Sequence, residues 1–171
     1  MDAQEATQIA VTANETFETF YAREYPSQIR RAVLLLGSEA DATDAVAHAF
    51  TNIFAKWGEL DAPGSYLNRS VLNACRDVGR RRKHLTIVSS SAEVAIPIND
   101  PRAPDNNTAS SVILNALLAL PYKQRAVVVL KHYVGLSETE IADQLDIATG
   151  SVGPTLFRAH KQLKTTLKEF A

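Results

Sequence analysis

Residues 84–111, HLTIVSSSAEVAIPINDPRAPDNNTASS, break the chain into two parts with different neighbours and different tasks. The stretch is 28 residues long, holds three prolines and five serines, and shows no helical periodicity. A Pro/Ser/Asn run of this length between periodic segments reads as a linker between domains rather than a loop inside one core. As a flexible coil it would hold its ends roughly 30 Å apart. The parts it separates are residues 17–83 and residues 112–171, with residues 1–16 as an N-terminal extension left open between order and disorder. With 171 residues in all, each block is small, and no segment alternates with the period of two that a half-buried strand requires. The expected fold is all-α: two small helical domains joined by a flexible linker.

The first block is helical throughout. Phe17, Phe20, Tyr21 and Tyr25 share one face. Pro26 then reads as the early part of a second helix through Ile29, Val33 and Leu36, which Gly37 ends as a left-handed cap. Val46, Phe50, Ile53, Phe54 and Trp57 fall at i, i+4, i+7, i+8 and i+11, an amphipathic stripe. The segment from Gly58 to Gly64 is a loop by its glycines and proline. A further helix starts near Ser65 and runs into a basic cluster: Arg76, Arg80, Arg81, Arg82 and Lys83.

In the second block, Ile113, Leu114, Leu117 and Leu118 lead to Pro121, and a new helix carries Val127, Val128 and Leu130. Ser137-Glu138-Thr139-Glu140 fits a capping box. Ile141, Ala142 and Leu145 face one side, Asp146-Ile147 makes a tight turn, and Val152, Leu156, Ala159 and Leu163 form the next stripe. Two short helices about a tight turn, with small Ala142 permitting close packing, read as a helix-turn-helix.

Charge and chemistry narrow the function. The net charge is −1, too little for a strong autonomous DNA binder, so any contact with nucleic acid is local and assisted. A single cysteine excludes an internal disulfide and a multi-cysteine zinc site. Cys75 shares its face with Val71, Leu72 and Val78 and reads as a buried thiol. His48, His84, His132 and His160 have no paired metal spacing, and no glycine-rich loop follows a strand. No enzyme, cofactor or metal is expected. The N-terminus lacks the basic and apolar segments of a signal peptide and no run would span a bilayer, so a cytoplasmic location without membrane insertion is expected.

Taken in order, FETFYAREYPSQIRRAVLLLGSEADATDAVAHAFTNIFAKW, PGSYLNRSVLNACRDVGRRRK and LPYKQRAVVVLKHYVGLSETEIADQLDIATGSV resemble the extracytoplasmic-function (ECF) sigma factors of bacteria, and more narrowly the small actinobacterial type. The resemblance covers about residues 17–83 and 112–167. It implies a non-catalytic subunit that binds core RNA polymerase and promoter DNA, with an anti-sigma factor as a further partner. Asp41, Asp44 and Phe50 would dock on polymerase. Tyr66, Asn73, Arg76, Arg80, Arg81 and Arg82 would capture the −10 element, and Ser137, Ser151, Thr155, Arg158 and Lys161 would read the −35 element.

Three departures from the family pattern qualify these roles. Ala47-His48 stands in place of a Gln-Glu pair, and Asp146 replaces the turn glycine. Gly153-Pro154-Thr155 stands where Lys-Ser-Arg is usual. Proline is accepted only in the first turn of a helix, so the recognition helix is expected to begin late, near Ser151 or Val152. The −35 readout is then weak or altered. A sigma-like protein that binds polymerase or a regulator but has lost promoter reading is the alternative; a plain helix-turn-helix repressor leaves the first block unexplained.

Overall fold

The computed structural model describes residues 15–88 and 109–169, so the N-terminal extension and most of the linker lie outside the described residues. Thr16 opens the first helix, α1 (Phe17–Leu36), accepting a hydrogen bond from the Thr19 N–H at 3.3 Å. Pro26 does not divide it as the sequence suggests. Its missing N–H leaves one carbonyl a turn earlier without a backbone donor, but the helix continues on either side. Gly37 closes it at φ 69°, donating to Val33 O at 2.7 Å. Ser38 caps α2 (Glu39–Ala55) at once, with Glu39 and Asp41 placed against the positive end of its dipole. After a 3-10 turn at Trp57–Glu59, α3 (Pro63–Val88) continues past the expected edge of the linker.

These three helices enclose one core. Ala42, Ala45, Val46, Ala49, Phe50 and Ile53 of α2 meet Leu67, Val71, Leu72 and Cys75 of α3. A polar seam runs through it: Asn68 Oδ1 accepts from Gln28 Nε2 at 2.8 Å and from Arg31 Nη1 at 2.7 Å, tying α1 to α3.

The second block is α4 (Ala109–Leu118), α5 (Tyr122–Val128) with a π-helical turn at Val129–Val134, α6 (Glu138–Leu145) and α7 (Val152–Glu169). The capping box at Ser137 forms in both directions: Ser137 N–H donates to Glu140 Oε2 at 2.8 Å and the Glu140 N–H to Ser137 Oγ at 3.2 Å. Asp146 takes the left-handed conformation at φ 53° that the tight turn demands. A 3-10 turn at Thr149–Ser151 precedes α7, which begins at Val152 with Pro154 in its first turn, as the proline rule predicts.

The two blocks share a continuous apolar cluster rather than standing apart. Their seam is the C-terminal end of α1, whose last carbonyls have no partner within the helix. Arg125 of α5 donates to Leu35 O, and Arg82 of α3 donates to Leu36 O at 2.9 Å. The Tyr122 hydroxyl donates to Leu72 O at 2.8 Å. A methyl group at Gly37 would sit 2.5 Å from Leu118 Cδ1, so this glycine serves both its own turn and the approach of the second block.

Candidate nucleic-acid interface

Helix α3 turns its apolar side to the core and leaves a polar row outside. Arg69, Asn73, Arg76 and Arg80 follow at i, i+4, i+7 and i+11, and all four are exposed. Tyr66 extends the row at its N-terminal end; half-buried, its hydroxyl accepts from Lys56 Nζ at 3.4 Å and its ring lies 5.5 Å from that ammonium. Asn73 Oδ1 accepts from Arg76 Nη2 at 3.0 Å, which orders both side chains. Arg81 is exposed beside the row rather than in it.

Arg82 is different. It points back towards α1, bonded to Leu36 O and paired with the Asp41 carboxylate. The sequence reading placed Arg82 on DNA and Asp41 on polymerase; here they hold each other, because Arg82 falls on the side of α3 that faces the core.

Arg69 was missed by sequence reasoning. It reaches across to α6, donating to Asp143 O at 3.0 Å and pairing with Asp143 Oδ1 at 3.1 Å. With a sequence separation of 74 residues, no local pattern signals that contact. The second block therefore rests on the same row of α3 that carries the nucleic-acid candidates.

In α2, Asp44 is exposed as expected, but Phe50 is 3% exposed and packs against Phe17, Phe20, Tyr21 and Tyr25. It is a core residue, not a contact for another protein. One turn later Phe54 is 63% exposed and presents the outward aromatic of this helix. His48 Nε2 lies 3.4 Å from Asn52 Nδ2, one turn along the helix.

The helix-turn-helix also revises one assignment. Val152, Thr155, Leu156 and Ala159 form the buried face of α7. Thr155 is 2% exposed and its hydroxyl donates to Ser151 O at 2.7 Å, so it cannot reach a base edge. The late start of the helix sets that register. Ser137, Arg158 and Lys161 are exposed, and Ser151 is half-buried with its hydroxyl donating to Ala148 O at 2.7 Å. Ser137 is occupied as the cap of α6.

Half-buried charges cluster at the seam. The Arg125 guanidinium donates to Leu117 O at 3.0 Å, Leu118 O at 3.0 Å and Leu120 O at 2.9 Å as well as to Leu35 O. Burial pulls its pKa below the usual arginine value, Tyr122 opposes that, and neighbouring Arg82 adds to it. Both arginines remain charged. Burial pushes the Cys75 thiol up to about 12, which leaves it inert. His132 and His160 meet Nε2 to Nε2 at 2.9 Å, a pair the sequence spacing does not announce. Among the described residues no group of three metal-ligating side chains comes together. None of the described helices is long and apolar enough to cross a membrane.

Comparison with known proteins agrees with this geometry. The sequence model of sigma-70 region 4 matches residues 110–163, which contain the helix-turn-helix. The ECF RNA polymerase sigma factor SigM of Mycobacterium tuberculosis is 34% identical over 155 residues, covering 88% of this chain and 76% of its own. The RNA polymerase sigma-E factor of Streptomyces coelicolor is 29% identical over 154 residues, covering 88% and 85%. Among solved structures, the sigma factor RpoE in complex with the anti-sigma factor NepR from Bartonella quintana superposes with a TM-score of 0.72 at 20% identity, covering 89% of this chain and 96% of that one. CnrH in complex with the cytosolic domain of CnrY gives a TM-score of 0.64 at 24% identity, covering 95% and 96%.

Proposed function

The chain belongs to the ECF RNA polymerase sigma factors, and from that premise we propose how its surfaces divide the work of an alternative sigma factor that joins core RNA polymerase and directs promoter-specific transcription. The outer row of α3 captures the −10 element. A melted strand needs cations for its phosphates and polar edges for an extruded base. Arg69, Asn73, Arg76 and Arg80 supply both on one exposed side of a helix whose other side is fixed by the core. That row is the observation that carries the reading. Tyr66 offers an aromatic face at its end, and Arg81 adds charge beside it.

The helix-turn-helix reads the −35 element through Ser151, Arg158 and Lys161, and weakly, since Thr155 is turned inward. Asp44, with Phe54 in place of Phe50, forms the polymerase-docking side of α2. Because Asp143 of α6 holds Arg69, the two blocks have to part before the whole row can take a DNA strand. An anti-sigma factor that stabilises the packed form would keep the protein inactive; one structural neighbour, the sigma factor RpoE of Bartonella quintana, is a complex with the anti-sigma factor NepR, which supports this reading. No catalysis is assigned, and action in the cytoplasm follows from work on the chromosome.

The test is initiation in vitro. Purified protein, core RNA polymerase and fragmented genomic DNA should give discrete transcript starts sharing an upstream motif, lost on replacing Asn73 and Arg80 by alanine. Stable polymerase binding without any initiation would instead favour a regulator that has lost promoter reading.

A further inference from the structure

Where the two blocks meet, a cleft of about 530 Å³ opens between α3 and the α4–α5 corner. Among the described residues five cationic side chains line it: Arg76, Arg80 and Arg82 from the first block, Lys123 and Arg125 from the second. No carboxylate among the described residues lines it. Arg82 and Arg125 form its fixed base, since the seam carbonyls and Asp41 already hold them. Arg76, Arg80 and Lys123 stand exposed around it and take part in no ion pair among the described residues. The remaining walls are apolar, with Leu36, Leu118 and Pro121 beside the Tyr122 ring.

Five cations around one cleft, of which only Arg82 has a carboxylate partner among the described residues, leave a net positive field that a bound anion would neutralise. Burial lowers the pKa of both Arg82 and Arg125, and Arg82 adds to the effect on Arg125. Guanidinium forks match phosphate oxygens in geometry as well as charge. The volume suits a small molecule rather than a protein segment, since ligand clefts run to about 300–1,000 Å³. Apolar walls against a cationic base suit a phosphate group attached to a flat ring.

We propose that this cleft binds a small polyphosphorylated anion, a nucleoside polyphosphate being the form that uses both its cations and its apolar walls, and that occupancy holds the two blocks together. The site draws on both blocks, so it exists only while they are packed. A ligand there occupies Arg76 and Arg80 and competes with the −10 strand. This second consequence rests on the function proposed for α3; binding itself does not.

The experiment is calorimetric titration of the full chain at fixed free magnesium with orthophosphate, tripolyphosphate, ADP and GDP. One-to-one saturable binding is expected, at least about tenfold tighter for the polyphosphates than for orthophosphate, as one or more additional charge-assisted contacts provide. Tripolyphosphate matching the nucleotides would assign affinity to phosphate alone; tighter nucleotide binding would assign part of it to the walls. Both support the site. Lys123→Glu, an exposed position outside the promoter-reading sets, should weaken binding by roughly tenfold or more. The same variant should direct initiation as the unaltered protein does. Absence of binding, or binding that Lys123→Glu leaves unchanged, overturns the proposal. Anion binding with no initiation would sink the sigma-factor assignments and leave the cleft standing; initiation without anion binding would do the reverse.

Discussion

Helices α3 and α7 are both amphipathic, and both are expected to face DNA, yet they present unequal surfaces. On α3 the outward row is Arg69, Asn73, Arg76 and Arg80, long polar side chains on a rigid helix. On α7 the first turn offers Gly153 and Pro154 where side chains would read bases, and Thr155 is folded into the core. Only Ser151, Arg158 and Lys161 remain, and Ser151 is held by Ala148 O. On the proposed assignment, the hold on promoter DNA is therefore concentrated in the first block. A near-neutral chain could work this way if polymerase supplied much of the remaining affinity.

The largest effect that this contrast predicts is on α3. Replacing Asn73 and Arg80 together by alanine should lower initiation by about 100-fold or more, as two contacts worth roughly 1.5–3 kcal/mol each would require. Both side chains are exposed, so folding should be untouched. Run-off transcription checks this, and a loss of only a few fold would break the contrast. Next comes repair of α7. A Cβ at Gly153 would meet only Glu138 Oε2, at 3.9 Å, so there is room for a cation next to a carboxylate. Gly153→Lys with Pro154→Ser should tighten holoenzyme binding to a −35 duplex by about tenfold, the worth of one good base or phosphate contact. No gain would mean that the weak readout has another origin.

Which of these features was legible in the sequence follows from how local their causes are. The late start of α7, the left-handed Asp146 and the Ser137 capping box each depend on a few adjacent residues, and each was readable. Thr155 failed for a subtler reason. The family pattern marks its position as a reader, whereas the face a residue takes depends on how the helix is rotated against its neighbours. Phe50 and Arg82 failed in the same way, one position's turn separating an outward side chain from a core one. Pro26 reads as a boundary because proline is costly inside a helix, by about 3 kcal/mol; the helix nevertheless runs through it from Phe17 to Leu36. Contacts between the blocks, such as Arg69 with Asp143 and Arg125 with Leu35 O, join residues 74 and 90 apart and leave no periodic trace.

A smaller effect separates reading from packing within α7 itself. Thr155→Val removes the bond to Ser151 O and should cost about 1 kcal/mol in unfolding free energy while leaving DNA affinity unchanged. Arg158→Ala should do the opposite, since that side chain is exposed. Urea denaturation paired with duplex binding distinguishes the two; a loss of DNA affinity in Thr155→Val would put that residue back among the readers.

The smallest effect is a pH dependence local to α6, which supports the recognition helix through the tight turn. The Ser137 N–H and hydroxyl hold the Glu140 carboxyl below its ordinary value near 4.5. A carboxyl depressed in the folded state binds its proton more weakly there than in the unfolded chain. Its contribution is complete above the unfolded value and disappears as pH falls through the folded one. Glu140 is fully exposed, so water and salt screen the interaction and the effect stays confined to the first turn. Amide exchange at Ser137 should accordingly accelerate relative to the intrinsic rate as pH drops below about 4.5, while Asn73 and Arg76 on α3 show no matching transition. In Glu140→Gln the amide oxygen can still accept from the Ser137 N–H but has no proton to gain, so the transition at Ser137 should vanish. If it persists in that variant, a different carboxyl controls the end of α6 and the capping box is not the source of the pH dependence.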